Sequence, residues 1–248
     1  MIFIIIMLIM DLWKLLNMIN NKSVLGITLA RGGSKGILKK NITLINDKPL
    51  LLYTNDEVIK SKYIDDYVVG TDDRDIKNIC LNNNIKVIDR QKVSDTQTTA
   101  EGLLDVLSKL KRYDYVVEIM CTNPLKKVFD IDKVIELLDQ NNPSSVVSVC
   151  RVYDYHPKRL KYIKEGKLIG FDKDENPDKP GYRRQDLAPI AYIRNGSIYG
   201  MTYEQITNKK MRLDNDNIIP YIMDESRTIN IDEPIDLLVA KQLLNEDN

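Results

Sequence analysis

Histidine is nearly missing from this sequence of 248 residues, in which His156 is the one example. A site built from several histidines is therefore excluded, and a catalytic triad would depend on His156 alone. The cysteines Cys80, Cys121 and Cys150 are widely spaced and form no Cys-x-x-Cys pair. They are typical of small buried side chains in a reducing compartment, so we expect a cytoplasmic protein. Any metal would be a hard cation held by carboxylates and phosphates, which indicates Mg²⁺.

The sequence also lacks an excess of either charge, because 36 basic residues balance 36 acidic ones. It contains no basic tract with interleaved aromatic residues, so we expect no binding of nucleic acid. Anionic ligands would have to be held by local sites. The length suits one large α/β domain, or one domain with a small insertion, which can bury its core without disulfides.

Long hydrophobic runs are missing as well, and the apolar residues 1–10 are too few to cross a bilayer. A basic segment and a small-residue cleavage site, which would mark a secretory signal, are absent. Three interpretations stay open for residues 1–22: a helix that packs on the domain, a membrane-surface anchor through residues 1–16, and a start codon placed too early, with Met18 as the natural start. We favour an apolar extension without a catalytic role.

Beyond residue 22, short apolar runs alternate with helical patterns. We predict strands at residues 24–30, 67–71, 85–88, 115–120 and 145–150, and helices at residues 50–62, 73–83, 98–111 and 131–140. This alternation indicates βαβ units and a mostly parallel sheet. Ligands bind outside the carboxyl ends of such strands, so the polar loops after residues 30, 71, 88 and 120 should converge on one face.

The pattern changes between residues 151 and 189, which are rich in Tyr, Lys, Asp and Pro. We predict a β-rich, partly open insertion there, followed by core-like sequence at residues 190–203. Short strands are expected at residues 218–222 and 228–231. Asp232 is expected to cap the N-terminus of a C-terminal helix.

A glycine-rich cationic loop follows the first predicted strand, in the sequence Leu29-Ala30-Arg31-Gly32-Gly33-Ser34-Lys35-Gly36. The glycines allow backbone N–H groups to approach anionic oxygens and the cationic side chains neutralise charge, which favours phosphate binding. The order Ser34-Lys35-Gly36 is not that of a Walker A motif, and the dinucleotide fingerprint is also missing. The alternative is an ordinary β-to-α turn with solvated lysines.

The same loop resembles the signature of the CMP-sugar synthetases, which are the acylneuraminate cytidylyltransferases with their legionaminate, pseudaminate and more distant Kdo relatives. The resemblance continues in register over about residues 23–245. The matching segments are Lys40-Asn41-Ile42, Thr71-Asp72, Ser94-Asp95-Thr96, Thr122-Asn123-Pro124-Leu125-Lys126, His156-Pro157, Arg183-Arg184-Gln185-Asp186-Leu187, Asn195-Gly196-Ser197-Ile198-Tyr199 and Ile231-Asp232.

This resemblance implies a Rossmann-like, three-layer α/β/α nucleotidyltransferase with a cytidylyltransferase domain at residues 23–248. It implies a homodimer, with contacts from the insertion at about residues 151–189. The implied reaction joins CTP to a nonulosonic (sialic-type) acid, giving a CMP-sugar and pyrophosphate, with Mg²⁺ and cationic side chains neutralising charge. Two alternatives stay open: a nucleotidyltransferase for another sugar or nucleotide, and a nucleotide-binding homologue with weakened catalysis.

The resemblance also implies roles for individual residues. Those expected to act in catalysis are Arg31, Lys35, Asn41 and Asp232. Those expected to bind the nucleotide are Leu29, Ala30, Gly32, Gly33, Ser34, Arg90, Thr98 and Thr99. Those expected to contact the sugar acid, whose carboxylate needs a cation, are Lys126, Arg159, Gln185 and Arg194. Those expected to hold Mg²⁺ are Asp232 and Asn230.

The sequence departs from the family pattern at several positions. Asn230-Ile231-Asp232 stands where the family commonly has two alternating aspartates, and the neutral amide predicts weaker binding of Mg²⁺. Met120 replaces a glutamine that often touches the sugar in sialate enzymes, and Leu38 replaces a usual proline. Arg90 matches an arginine that reads O2 and N3 of cytosine, although its spacing to Asp95 is shorter than in the family; the alternative is a surface arginine.

Overall fold

The computed structural model describes residues 19–34, 36–91, 96–171, 178 and 180–246. The strands are β1 (Val24–Leu29), β2 (Leu44–Ile45), β3 (Lys48–Pro49), β4 (Asp66–Thr71), β5 (Lys86–Asp89), β6 (Tyr115–Ile119), β7 (Ser145–Val152), β8 (Lys161–Lys164), β9 (Lys167–Gly170), β10 (Ala191–Thr202) and β11 (Ile218–Ile222). The α-helices are α1 (Leu50–Val58), α2 (Arg74–Asn82), α3 (Thr99–Leu107), α4 (Val128–Asn141), α5 (Tyr203–Asn208) and α6 (Pro234–Glu246).

Some expectations concern other parts of the chain. The interpretation of residues 1–16, the Ser94-Asp95 match and the role of Lys35 all lie outside the described residues. Within the described ranges, no helix has both the length and the apolar character that a membrane crossing requires.

A mixed sheet forms the centre of the described fold, with seven strands in the order β11-β7-β10-β6-β1-β4-β5 among the residues that the structure covers. Neighbouring strands pair in parallel except at β10, which runs antiparallel to both β6 and β7. The described residues between β7 and β10 form no α-helix that would carry the chain back across the sheet, so the chain returns from the insertion at the carboxyl end of β7 and β10 runs antiparallel to β7. The expected mostly parallel α/β sheet is confirmed.

Helices cover both faces of this sheet. Successive strand residues point to opposite faces, so Leu25 and Val116 join one buried cluster while Val24 and Val117 join another. The buried side of α3 packs in the first cluster, and that of α4 packs in the second. The three-layer α/β/α architecture expected from the family resemblance is thereby confirmed.

The insertion contains the expected β structure. β8 and β9 form a two-stranded antiparallel sheet of their own, separate from the central sheet. Several large apolar side chains of this region are exposed, and these are Tyr155, Tyr162, Ile163, Leu168 and Phe171.

The structure corrects the sequence expectations near the C-terminus. Residues 228–231 are not a strand; the backbone N–H of Ile231 donates to the carbonyl of Thr122 over 2.8 Å. Asp232 does not cap α6. Instead the carboxylate of Asp236, inside the first turn, accepts from the backbone N–H groups of Asp232 and Glu233 at 2.9 and 2.8 Å. These two bonds hold the residues just before the helix in place, while the Asp232 carboxylate makes other contacts.

A buried ion pair ties α4 to β11 and the turn that follows it. Asp130 is fully buried and accepts from the hydroxyl of Tyr221 at 2.6 Å. It also accepts from Nε and Nη2 of Arg227 at 3.1 and 3.0 Å, and from the backbone N–H of Lys127 at 2.9 Å. A single carboxylate therefore joins three segments of the fold.

We expect Asp130→Asn to lower the free energy of unfolding by about 3 kcal/mol, because it leaves the mostly buried Arg227 without its counter-charge. Urea denaturation followed by circular dichroism measures this loss. Glu225→Gln, which changes an exposed carboxylate, is the control and should alter stability by no more than about 0.5 kcal/mol. Equal stabilities for the two variants would contradict the role of the pair.

Candidate functional site

A cavity of about 510 Å³ opens where β1, β5 and β6 end. The expected site residues that line it are Leu29, Arg31, Ser34, Asn41, Arg90, Thr98, Thr99 and Asp232. The loop after β4 reaches the same region, since Asp72 accepts from the backbone N–H of Gly32 at 3.1 Å. The polar loops therefore converge at the carboxyl ends of the strands, as expected.

Two glycines of the loop are required by close packing. A Cβ on Gly32 would clash with the Asp73 carboxylate, and a Cβ on Gly36 would clash with the carbonyl oxygen of Asp232. The glycine loop therefore lies directly against two other segments, one from the start of α2 and one from the start of α6. Lys35, expected to hold phosphate, is not among the described residues.

Asn41 anchors the loop to the rest of the site. Its Nδ2 donates to the carbonyl of Arg31 at 3.0 Å, and its Oδ1 accepts from Sγ of Cys121 at 3.2 Å. Asn41 is buried, so its amide both shapes the loop and connects it to the end of β6.

Asp232 lines the cavity next to the loop, where Gly36 packs on its carbonyl oxygen. One carboxylate oxygen accepts from Nζ of Lys40 at 2.7 Å and the other from Nδ2 of Asn230 at 2.5 Å. Its side chain is 62% exposed, so the carboxylate is open to a further ligand. Oδ1 of Asn230 is buried without a hydrogen-bond partner in the described part of the chain, and the amide packs on Gly196.

Arg90 lies at the end of the cavity formed by the turn before α3. Its Nη2 donates to Oε1 of Gln97 at 2.7 Å, and its guanidinium packs so closely on Gly102 that a Cβ there would meet Nη2 at 2.6 Å. Burial lowers the pKa of Arg90, while the nearby Asp72 and Asp105 oppose this shift. The side chain is thus half-buried and held in place, unlike a solvated surface arginine.

Sequence reasoning missed a buried carboxylate in the cavity, that of Glu118. It is fully buried in β6, and its Oε2 accepts from Nη1 of Arg212 at 2.7 Å. Burial raises the pKa of Glu118, while Arg212 and Arg90 oppose the shift. The sequence does contain a signal for this residue, because Glu118 is the one charged residue in the otherwise apolar strand Tyr115–Ile119. A charged side chain is costly to bury, so its presence in such a strand indicates a specific role.

The four residues expected to contact the sugar acid do not come together. Arg194 lines a second cavity of about 450 Å³, whereas Arg159 is exposed and bonds Asp154 at 2.9 Å. Gln185 is exposed on a short 3₁₀ turn. Lys126 lines neither cavity: its Nζ is buried and donates to Oγ1 of Thr54 at 2.7 Å and to the carbonyl of Asn123.

The second cavity adjoins the first. Arg212 and Asn230 line the second cavity, and each bonds a residue of the first, respectively Glu118 and Asp232. These two bonded pairs form a shared wall between the cavities. His156 lies apart from this wall, and its Nε2 contacts the carbonyl of Pro189 at 2.8 Å, which is a structural contact.

The sheet and the glycine-rich cationic cavity at its carboxyl edge are typical of α/β proteins that bind a ligand at this edge. A cytidylyltransferase family model matches residues 25–230, and the chain belongs to this family. The resemblance inferred from the motifs is thereby confirmed.

Individual relatives agree with this assignment. An N-acylneuraminate cytidylyltransferase of Streptococcus agalactiae serotype V is 34% identical over 192 residues, which are 74% of this chain and 43% of that protein. The chain thus spans under half the length of that relative. A CMP-N,N'-diacetyllegionaminic acid synthase of Legionella pneumophila is 28% identical over 89% of this chain and 96% of its own. A CMP:2-keto-3-deoxy-manno-octonic acid synthetase structure, complexed with CTP, shares the fold with a TM-score of 0.70 at 16% identity, covering 91% of this chain and all of that one.

The buried Lys126 predicts a pH dependence of stability. Burial lowers its pKa from 10.5 to about 7, and nearby Cys121, Asp130 and Glu57 only partly oppose this. An unfolded lysine keeps its proton up to the ordinary value, so the unfolded chain binds more protons between these two pH values. Stability must therefore rise with pH across this window.

We expect the stability of the wild type relative to Lys126→Met to increase from about pH 7 to pH 10, with a slope of up to about 1.4 kcal/mol per pH unit. Urea denaturation at several pH values measures this difference. Lys60→Met, at an exposed position, controls for the general loss of one positive charge. Parallel pH profiles for the wild type and Lys126→Met would contradict the inference.

Proposed function

We propose that this protein is a cytidylyltransferase that joins CTP to a nonulosonic acid and releases pyrophosphate. The observation that carries the proposal is the shared cavity, where Arg31, Asn41, Arg90 and Asp232 meet although they are far apart in the sequence. The family membership and the names of the sialate and legionaminate relatives support the choice of nucleotide and acid.

The two ends of the cavity suit the two ends of CTP. The triphosphate would lie on the glycine loop, near Arg31, Lys40 and the expected Lys35, where N–H groups and cations offset its charge. The cytosine would lie near Arg90, whose guanidinium can donate to O2 and N3 of the base. Thr98 and Thr99, at the start of α3, line the same cavity.

Catalysis would depend on positioning and on neutralisation of charge. The anomeric hydroxyl of the acid attacks the α-phosphorus in line and pyrophosphate leaves. Asn41 would orient the α-phosphate, and Arg31 would hold the departing phosphates. The acid would enter from the second cavity, in which Arg194 offers a guanidinium to its carboxylate.

The residues present fit Mg²⁺ as the cofactor. The open carboxylate of Asp232 and the unpaired Oδ1 of Asn230 are oxygen donors, which Mg²⁺ prefers, and phosphates of the nucleotide would complete its ligands. When bound, the ion would offset negative charge on the phosphates. One carboxylate beside one amide predicts a weaker site than two carboxylates would make.

Release of pyrophosphate tests the proposed function. The assay compares CTP with the other nucleoside triphosphates, in the presence of Mg²⁺ and a panel of nonulosonic and octulosonic acids. We expect release with CTP and a nonulosonic acid, and a large loss in Asp232→Asn. Tight CTP binding without release for any acid would instead favour a homologue without turnover, and release with a different nucleotide would favour another transferase.

We expect Asn230→Asp to lower the Mg²⁺ concentration that gives half-maximal activity by roughly tenfold, because a second carboxylate adds charge to the site. Titration of activity with Mg²⁺ at saturating CTP measures this change. Asn215→Asp introduces the same charge at an exposed position and should leave the requirement unaltered. An unchanged requirement in Asn230→Asp would show that residue 230 does not bind the ion.

We also propose that the protein is a homodimer formed through the insertion. The exposed Ile163, Leu168 and Phe171 of the β8–β9 region and the exposed Tyr192 and Ile193 of β10 support this, because exposed apolar patches are typical of interfaces.

We expect sedimentation equilibrium to give twice the monomer mass for the wild type and the monomer mass for Leu168→Asp, because a charge would be buried in the interface. Ile59→Asp, another exposed apolar position outside the insertion, should remain dimeric. A wild type that is monomeric at micromolar concentration would refute the proposal.

A further inference from the structure

Glu118, which lines the first cavity, has a carboxylate oxygen without a hydrogen-bond partner in the described part of the chain. Glu118 is fully buried, and Arg212 donates to its Oε2, but Oε1 has no hydrogen-bond partner among the residues that the structure describes. A buried oxygen of this kind is costly unless a donor reaches it. Because Glu118 lines the cavity, a bound ligand can supply that donor.

The neighbours of Glu118 indicate which part of a nucleotide would reach it. Arg90 lies close enough to favour the charged form of Glu118, both side chains line the cavity, and Arg90 bonds Gln97 at the end formed by the turn before α3. The cavity therefore offers one guanidinium and one carboxylate oxygen to a base. The glycine loop and Lys40 also line the cavity, and they suit phosphate.

The edge of cytosine matches this pair of groups. Cytosine presents two acceptors, O2 and N3, followed by the donor amine on C4, whereas uracil presents an N3 donor and an O4 acceptor. A guanidinium can donate to O2 and N3, and a carboxylate can accept from the amine. Uracil would instead place its O4 against the carboxylate, so two acceptors would face each other.

We propose that Glu118 selects cytosine over uracil, with its Oε1 accepting a hydrogen bond from the exocyclic amine of bound CTP. The proposal rests on the proposed cytidylyltransferase function and names the residue that sets its choice of base. Arg212 acts as a positioning residue, because its ion pair orients the Glu118 carboxylate and favours its charged form. Arg212 is itself held over the ring of Tyr199, with its Cζ 4.4 Å from the centroid.

The substitution Glu118→Gln tests the proposal, because it keeps the size and hydrogen-bonding reach of the side chain but offers uracil O4 a donor. We expect the ratio of kcat/KM for CTP to that for UTP to fall by about 10- to 100-fold, the scale of one base contact. Calorimetric binding of CTP and UTP in the absence of the acid should show the same fall in preference. A retained preference in both measurements would overturn the proposal.

Asp130→Asn is the matched control. It neutralises the other fully buried carboxylate that pairs with an arginine, but Asp130 does not line the cavity. We expect it to lower stability and to leave the preference for CTP unchanged. An equal fall in preference in both variants would overturn the proposal, because loss of stability alone would then explain the effect.

A second measurement uses the wild-type protein. The triphosphate of 2-pyrimidinone riboside lacks the amine on C4 but is otherwise like CTP. We expect calorimetry to give it a Kd about tenfold or more above that of CTP, and equal Kd values would overturn the proposal. Failure of the proposed function would look different: no acid would release pyrophosphate, whereas these binding measurements would still decide whether Glu118 reads the base.

Discussion

The packing of the loop after β1 against the segment before α6 creates the cavity on which the rest of the site depends. Gly36 lies so close to the backbone of Asp232 that no side chain fits between them, and Lys40 bonds the Asp232 carboxylate at 2.7 Å. These segments come from opposite ends of the described chain. The central sheet brings them together because β1 lies next to β6, and the C-terminal segment is fastened to the loop after β6 by the bond from Ile231 to Thr122.

The buried charged side chains of this fold differ in how completely protein groups bond them. Asp130 and Lys126 are buried away from the cavity, and protein groups occupy their hydrogen-bonding positions, so both belong to the scaffold. Glu118 is equally buried, but its Oε1 has no hydrogen-bond partner among the residues that the structure describes. Burial is energetically costly for all three charged groups, so the difference between them is how many of their hydrogen-bonding positions protein groups occupy.

Much of the fold could be predicted from sequence because it depends on local patterns. Apolar runs with helical stretches between them predicted β1, β4, β5 and β6, and the loop after β1 was recognisable from its glycines and cations. The direction of β10 could not be predicted this way, because it follows from how the insertion returns to the sheet. Asp232 does not cap the helix as expected, because its carboxylate bonds Lys40 and Asn230 and the helix begins only at Pro234, which has no N–H to donate.

Site residues that belong to a sequence motif could be predicted, whereas those whose position depends on tertiary packing could not. Arg31 and Asn41 lie in a contiguous signature, and both line the cavity. Lys126 also lies in a matching segment, yet its side chain turns inward to Thr54, a contact that no spacing rule reveals. Glu118 belongs to no motif, and it becomes part of the site only because Arg212, from a distant loop, makes its burial tolerable.

The wall between the two cavities constrains how the reaction can occur. Asn230–Asp232 and Glu118–Arg212 each have one member on either side of it. If the nucleotide occupies one cavity and the acid the other, the attacking hydroxyl must reach the α-phosphorus along this wall. Residues there then touch both substrates or the ion between them, so a change on the wall affects positioning and charge together. Asn230 lies in this wall, so under the proposed function a substitution there would bear on coupling of the two substrates more than on binding of either one.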